Sequence, residues 1–207
     1  MRRTFAFMLC TICLLAPALA ASWAAEPEDA AWSAGARGAY LLVPDFILDA
    51  YYEKHTHINA ATYGLFGSYS FDAFDLVFGV DNFALNYENG QWLKRDKDPD
   101  ETDYVEADLG FTSADVRVLW KFPFGDYFVY RLGAGLGFGF VYGDYASYDV
   151  IDGERQPQKD DPKVPPVVPV CVLQTGVQFF FVDRFCLNVD LGFQNGLFFG
   201  GGLQYYF

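Results

Sequence analysis

The residues best equipped for chemistry are few and scattered. His55-Thr56-His57 places two imidazoles two residues apart. On an extended segment they point the same way, because side chains alternate with period two, and they could help hold a metal ion. Cys171 and Cys186 are the two thiols beyond residue 20. Asp96, Asp98, Asp100, Glu101, Asp103, Glu106 and Asp108 offer the hard oxygen ligands that Ca²⁺ takes, but their spacing lacks the D-x-D-x-D-G pattern of a calcium loop. A last group stands singly among apolar neighbours: Arg37, Asp75, Asp81, Asp115, Arg117, Lys121, Arg131, Gln174, Gln178, Asn188, Asp190 and Gln204. What these can do depends on the elements that carry them.

Those elements are strands. Aromatic residues make up 19% of the 207-residue chain, with 22 Phe, 14 Tyr and 20 Gly, a mix that favours strands and tight turns over helices. Eight alternating segments follow one another at 33–43, 58–70, 74–85, 111–122, 127–142, 169–182, 185–193 and 197–207. The fifth is the clearest. Phe128, Tyr130, Leu132, Ala134, Leu136, Phe138 and Phe140 form one face, and Arg131, Gly133, Gly135, Gly137 and Gly139 the other. In the last, Leu197, Phe199, Gly201, Leu203, Tyr205 and Phe207 oppose Phe198, Gly200, Gly202, Gln204 and Tyr206.

The connections alternate too. Short ones fall at 70–73, 123–125 and 182–184, and long ones at 44–57, 86–110 and 143–168, with a tight one at 194–196 where Gly196 is expected to take a positive φ. Eight strands with short turns on one side and longer loops on the other predict an all-β, eight-stranded antiparallel up-and-down transmembrane barrel. The even count puts both termini on the short-turn side.

A soluble barrel also alternates, with its apolar face inward. Here the polar faces carry Gly, Asn and Gln with a few charges, not the long charged side chains of a solvated surface. Four consecutive glycines on one face make sense inside a narrow barrel, where they leave room for Arg131 and its neighbours. The apolar faces are large and continuous, as lipid contact requires. Tyr69, Trp120, Tyr127, Tyr142 and Tyr205 fall near strand ends, at the expected water interfaces.

Residues 1–20 read as a cleaved secretory signal peptide. Arg2 and Arg3 precede an apolar run that ends at Pro17, and Ala18-Leu19-Ala20 is a small-x-small cleavage site. Residues 21–32 are a polar lead-in and 33–207 the barrel. Cleavage removes two arginines and takes the formal charge from -13 to -15. The acidic excess argues against a nucleic-acid partner.

In this architecture, and in the ending Gln204-Tyr205-Tyr206-Phe207, the chain resembles the small bacterial outer-membrane barrels of the OmpX, OmpW and OmpA-barrel kind. The resemblance spans 33–207 and does not choose among subfamilies. It implies export through the Sec pathway to the outer membrane of a Gram-negative cell envelope, and a C-terminal assembly signal, Tyr205 and Phe207, read by the barrel-insertion machinery. It also implies a monomer whose partners are outer-membrane lipid and lipopolysaccharide. No cofactor is expected. A porin-like barrel with a structural or surface-interaction role and no chemistry is the leading reading. One alternative is a narrow conduit or binding lip for small hydrophobic molecules. Another is an outer-leaflet lipid-modifying enzyme, since some lipid A-modifying families place a His and a Ser at the rim of such a barrel. Here the residue after His55-Thr56 is His57, not Ser, and the rim-level serine on a neighbouring strand is Ser113. Two exposed loop histidines are the simpler expectation.

The isolated charges are then lumenal: either a selectivity lining or a structural network. The network is favoured, because eight strands leave an interior just wide enough for side chains. In the first long connection, Phe46, Ile47, Leu48, Tyr51 and Tyr52 are too apolar for a solvated loop. They are expected to begin with a helical turn after Pro44-Asp45, and either pack onto the rim or form a hydrophobic binding lip. The acidic run reads as a solvated surface, bridged to lipopolysaccharide by divalent cations. The two cysteines are expected to stay free. Register puts them on opposite faces and roughly 30 Å apart at ~3.4 Å per residue, against the ~7 Å Cα limit of a disulfide.

Overall fold

The computed structural model describes residues 31–98, 102–125, 127–151, 154–158, 166–182 and 184–207. The expected signal peptide and most of the lead-in lie outside them. The described residues form β1 (Trp32–Val43), α1 (Asp45–Leu48), β2 (Tyr52–Lys54), β3 (Ile58–Ser70), β4 (Phe74–Tyr87), β5 (Gly90–Lys94), β6 (Thr102–Phe124), β7 (Phe128–Ile151), β8 (Glu154–Gln158), β9 (Val167–Val182), β10 (Phe185–Gln194) and β11 (Leu197–Tyr206).

Eight of these strands make the wall, in the order β1-β3-β4-β6-β7-β9-β10-β11, each antiparallel to the next. β11 closes the ring on β1, from Ser33 opposite Tyr206 to Leu42 opposite Leu197. Closure leaves no strand edge in the wall, which is what allows a sheet to sit in hydrocarbon.

Alternation sets the two faces. Tyr40, Leu65, Val80, Val116, Leu136, Leu173, Leu191 and Phe199 are exposed on the outside, with Leu136 71% exposed. Asp75, Asp81, Asp115, Arg117, Arg131, Gln174, Gln178, Asn188 and Gln204 are buried inside. Aromatic rings crowd the short-turn end. Trp32, Tyr69, Phe71 and Phe74 contact in series with centroids 4.9, 4.8 and 4.6 Å apart. Phe181, Phe185, Tyr205 and Phe207 continue the girdle on the strands flanking the closure.

Three expectations are corrected in detail. The three-residue turn between Phe193 and Leu197 has its positive φ on Asn195 (φ 53), not on Gly196. Asn tolerates this left-handed conformation better than most residues, and its amide donates to the Pro169 carbonyl on β9 at 3.0 Å. The turn expected at 123–125 lies two residues later: Phe124 still pairs with Phe128, and Gly125, just past that pair, takes φ 69. The larger difference is at the other end. Much of the supposed loops 86–110 and 143–168 is strand. β6 and β7 stay paired from Phe124–Phe128 out to Thr102–Val150, well past the wall, and β5, β2 and β8 pair onto this projection. Charge-rich sequence hides such a sheet, because only its inner face needs to be apolar. That face carries Val105 and Ala107, which pack with Trp92, Leu48, Tyr52 and Tyr145.

Cys171 is exposed on the outer face and Cys186 is buried in the lumen, and they form no disulfide with each other, as their register requires. Cys171 lies opposite Leu136 in the middle of the apolar belt. In liposomes, a bilayer-soluble maleimide should therefore label Cys171 of the chain lacking residues 1–20, and a membrane-impermeant one should not. Cys186 should react with neither until the barrel is unfolded. Labelling of Cys171 by the impermeant reagent would contradict the assigned outer face.

Candidate functional site: a packed, ion-paired lumen

The lumenal charges converge on two clusters. Toward the long-connection end, Arg37 Nε and Nη2 donate to the two oxygens of Asp81 at 2.7 and 2.6 Å. Arg117 makes the same fork with Asp115, at 2.5 and 2.8 Å, and donates to Gln174 Oε1 at 2.7 Å. Cross-contacts tie the pairs together: Arg117 to Asp81 at 3.3 Å and Arg37 to Asp115 at 3.6 Å. Planar guanidinium suits this bidentate geometry as ammonium does not. Glycines make the space. A Cβ on Gly79 would overlap the Arg37 guanidinium, and one on Gly135 would lie 2.7 Å from Arg117 Cγ.

Toward the short-turn end, Arg131 faces Asp190 at 3.4 Å and Asp75 at 3.7 Å, and donates to Asn188 at 3.1 Å. Lys121 reaches Asp75 at 3.5 Å, and Ser70 donates to the same carboxylate at 2.7 Å. A neutral ladder continues from there. Asn188 and Gln178 donate to Gln204 Oε1 at 3.0 and 3.1 Å, and Gln204 donates to Ser33 and Ser68 at 2.7 and 3.2 Å. Of the twelve polar residues expected in the lumen, five fall in the first cluster and seven in the second. Four cations meet four carboxylates, which limits the cost of burying charge.

Two apolar plugs missed by the sequence reading bracket this network. Leu41, Ala60 and Phe83, with Phe111 and Phe198, fill the lumen at the long-connection end. Val129, Phe180, Cys186 and Tyr206 fill the other end. Period-two alternation already assigns these residues inward; attention to the polar face obscured them. Between the plugs, a cavity of about 20 Å³ adjoins Arg37, Thr62, Asp81, Arg117 and Gln194, and one of about 10 Å³ adjoins Arg131 and Asn188. Each is room for about one water molecule.

The other candidate residues do not assemble a reactive centre among the described residues. His55 and His57 part company: His55 Nε2 lies 3.0 Å from Asp49 and His57 Nδ1 lies 3.0 Å from Asp45, so each clamps a different end of α1. Ser113 is not at the rim. It is buried in the lumen and accepts from Gln194 at 3.4 Å. Of the hydrophobic rim, Leu48 is buried, Tyr52 packs edge-on against Trp92 at 4.9 Å and Ile47 is half-buried, whereas Phe46 and Tyr51 stay 71% and 69% exposed. Asp100 and Glu101 of the acidic run lie outside the described residues. Asp96, Asp98, Asp103, Glu106 and Asp108 lie on or next to β5 and β6 of the projecting sheet.

A closed antiparallel wall of eight strands, apolar outside and ion-paired inside, defines the small transmembrane β-barrel class. Comparison with solved structures agrees. The crystal structure of Neisserial surface protein A (NspA) superposes with a TM-score of 0.54 over 86% of this chain and 97% of that one, at 11% identity. Ail, the attachment invasion locus protein of Yersinia pestis, aligns over 86% of this chain and 98% of its own at 12% identity and a TM-score of 0.42. No family model matches the sequence, and no curated protein matches it. The fold is that of the eight-stranded outer-membrane barrels.

The Arg117 fork provides a test of the lumen. Arg117→Met leaves Asp115 and Asp81 short of a buried partner and should cost about 3–5 kcal/mol of stability. The double variant Arg117→Met, Asp115→Leu should recover much of that loss. Urea titration of the folded, fast-migrating gel band measures both. Equal destabilisation by the two variants would mean that the pair is not coupled.

Proposed function

We propose that this protein is a resident of the bacterial outer membrane with a structural or surface-interaction role and no chemistry of its own. The observation that carries this reading is the filled lumen. Among the described residues, plugs at both ends and an ion-paired network adjoin cavities of about 20 and 10 Å³, too small for a solute path. A conduit needs continuous space, and the lipid-modifying alternative needs a histidine against an accessible serine; neither is assembled among the described residues.

What the barrel offers instead is its outer end. Segment 86–110 carries eight acidic residues against three basic ones, and segment 143–168 six against three. Because the lumenal charges balance, this excess belongs to the projecting sheet and its connections. Phe46 and Tyr51 add exposed apolar surface beside it. Such a sheet suits contact with neighbouring lipopolysaccharide through divalent cations, or with cationic groups on another surface.

In this reading the chain is exported through the Sec pathway, cut after Ala20 and delivered with the 21–32 lead-in on the periplasmic side. The insertion machinery reads Tyr205 and Phe207, whose rings lie 5.5 Å apart on the outer face of the closing strand. The barrel then works as a monomer.

Two experiments test this. Purified barrel in liposomes should give no solute flux above protein-free liposomes; sustained flux of small solutes would restore the conduit. Deleting Phe207 should leave export intact but reduce the heat-modifiable form in the outer membrane. Normal assembly of the truncated chain would remove the assembly role of the C-terminus.

A further inference from the structure

One part of the outer wall is not apolar. Asn82 on β4, Thr112 on β6 and Tyr142 on β7 all point outward, yet they bond to one another across three strands. Asn82 Nδ2 donates to Thr112 Oγ1 at 2.9 Å and to the Tyr142 hydroxyl at 2.8 Å. The cluster is built. Gly110 lies opposite Tyr142, and a Cβ there would run into the Tyr142 ring, so the glycine lets the ring lie across β6 and bring its hydroxyl to Asn82. Both amide hydrogens of Asn82 are used, and Asn82 Oδ1 has no partner among the described residues. As acceptors, the Thr112 and Tyr142 hydroxyls keep their own hydrogens available. The patch thus presents two donors and one acceptor to whatever covers it.

Position says what that is. Along each strand toward the long-connection end, exposed apolar residues come first: Val80, Val116 and Phe138. The neutral polar cluster follows. Beyond it stands the first outward-facing charged pair, Asp108 opposite Asp144. The cluster therefore lies where hydrocarbon gives way to head group, at the end that faces outward in the functional reading above, on which this inference rests. Polar groups left bare at that depth cost free energy. We propose that Asn82, Thr112 and Tyr142 form a binding site for an outer-leaflet glycolipid and recognise the carbonyl and hydroxyl groups where its acyl chains join the sugar. The two hydroxyls donate to acyl carbonyls. Asn82 Oδ1 accepts from a hydroxyl or amide N–H, which a hydroxyacylated glycolipid supplies and a diacyl phospholipid ester linkage does not.

The test is glycolipid retained per barrel, by native mass spectrometry of protein extracted from outer membranes in mild detergent. The triple variant Asn82→Leu, Thr112→Val, Tyr142→Phe should retain about ten-fold less than wild type, equivalent to ~1.4 kcal/mol. Tyr142→Phe alone, which keeps the ring over Gly110, should show a smaller loss in the same direction. Thr175→Val, which breaks the outward Thr175–Tyr130 bond of 2.8 Å near the other end, should leave retention unchanged. Heat-modifiable mobility and membrane fractionation are read on the same samples. A protein absent from the outer membrane overturns the functional reading. Folded, membrane-resident variants that retain glycolipid as wild type does overturn this site alone. An equal loss of plain phospholipid from nanodiscs overturns the assignment to glycolipid.

Discussion

The structure depends on one pairing: β11 with β1. Ten residue pairs join the ends of the wall and turn an open sheet into a ring. An open sheet in lipid would leave two rows of backbone N–H and C=O groups without partners, each costing several kcal/mol. The final pairing therefore makes the outer face tenable in hydrocarbon. It also explains why the closing strands carry so much local reinforcement. Gln204 bonds Ser33 and Ser68 across the seam, Tyr206 is buried beneath it, and the aromatic girdle runs over it from Phe185 through Tyr205 to Phe207.

Closure at eight strands then dictates the interior. The ring is too narrow for a water column, so its inward side chains must satisfy one another. Arginine solves this as lysine could not, with two guanidinium–carboxylate forks at the centre and glycines opposite them. Apolar plugs finish the two ends. The result resembles a protein core turned inside out: the lumen holds the ions and the outside holds the greasy belt. Solvation is the reason, since hydrocarbon surrounds this wall where water surrounds a soluble one.

The projecting sheet is the part of the molecule freed from both constraints. Past the wall, β6 and β7 keep their pairing but exchange lipid for water on the outer face, where Asp108, Asp144 and Glu106 stand. Its inner face still needs a core, supplied by Trp92, Val105, Leu48 and Tyr52. Two His–Asp contacts fasten α1 beside it. Function in the proposed sense is concentrated here and at the lipid boundary just below.

Much of this was legible in the residue order alone. Period-two alternation determined the eight wall strands, their inward and outward faces, the lumenal charges and the two separate thiols, because a strand offers only two sides and a closed barrel assigns each side one solvent. Alternation could not determine pairing partners. That Arg37 meets Asp81, or that Arg117 meets Asp115 and Gln174, depends on strand order and register, which bring residues far apart in the chain to one level. Nor could it show that charged segments 102–109 and 143–150 continue as strands, since water tolerates either a loop or a sheet there. Ser113 looked like a rim residue until register placed it inside beside Gln194. The Asn82–Thr112–Tyr142 cluster was hidden for the same reason: each residue alone is an ordinary polar intrusion, and only adjacency across β4, β6 and β7 makes them one patch.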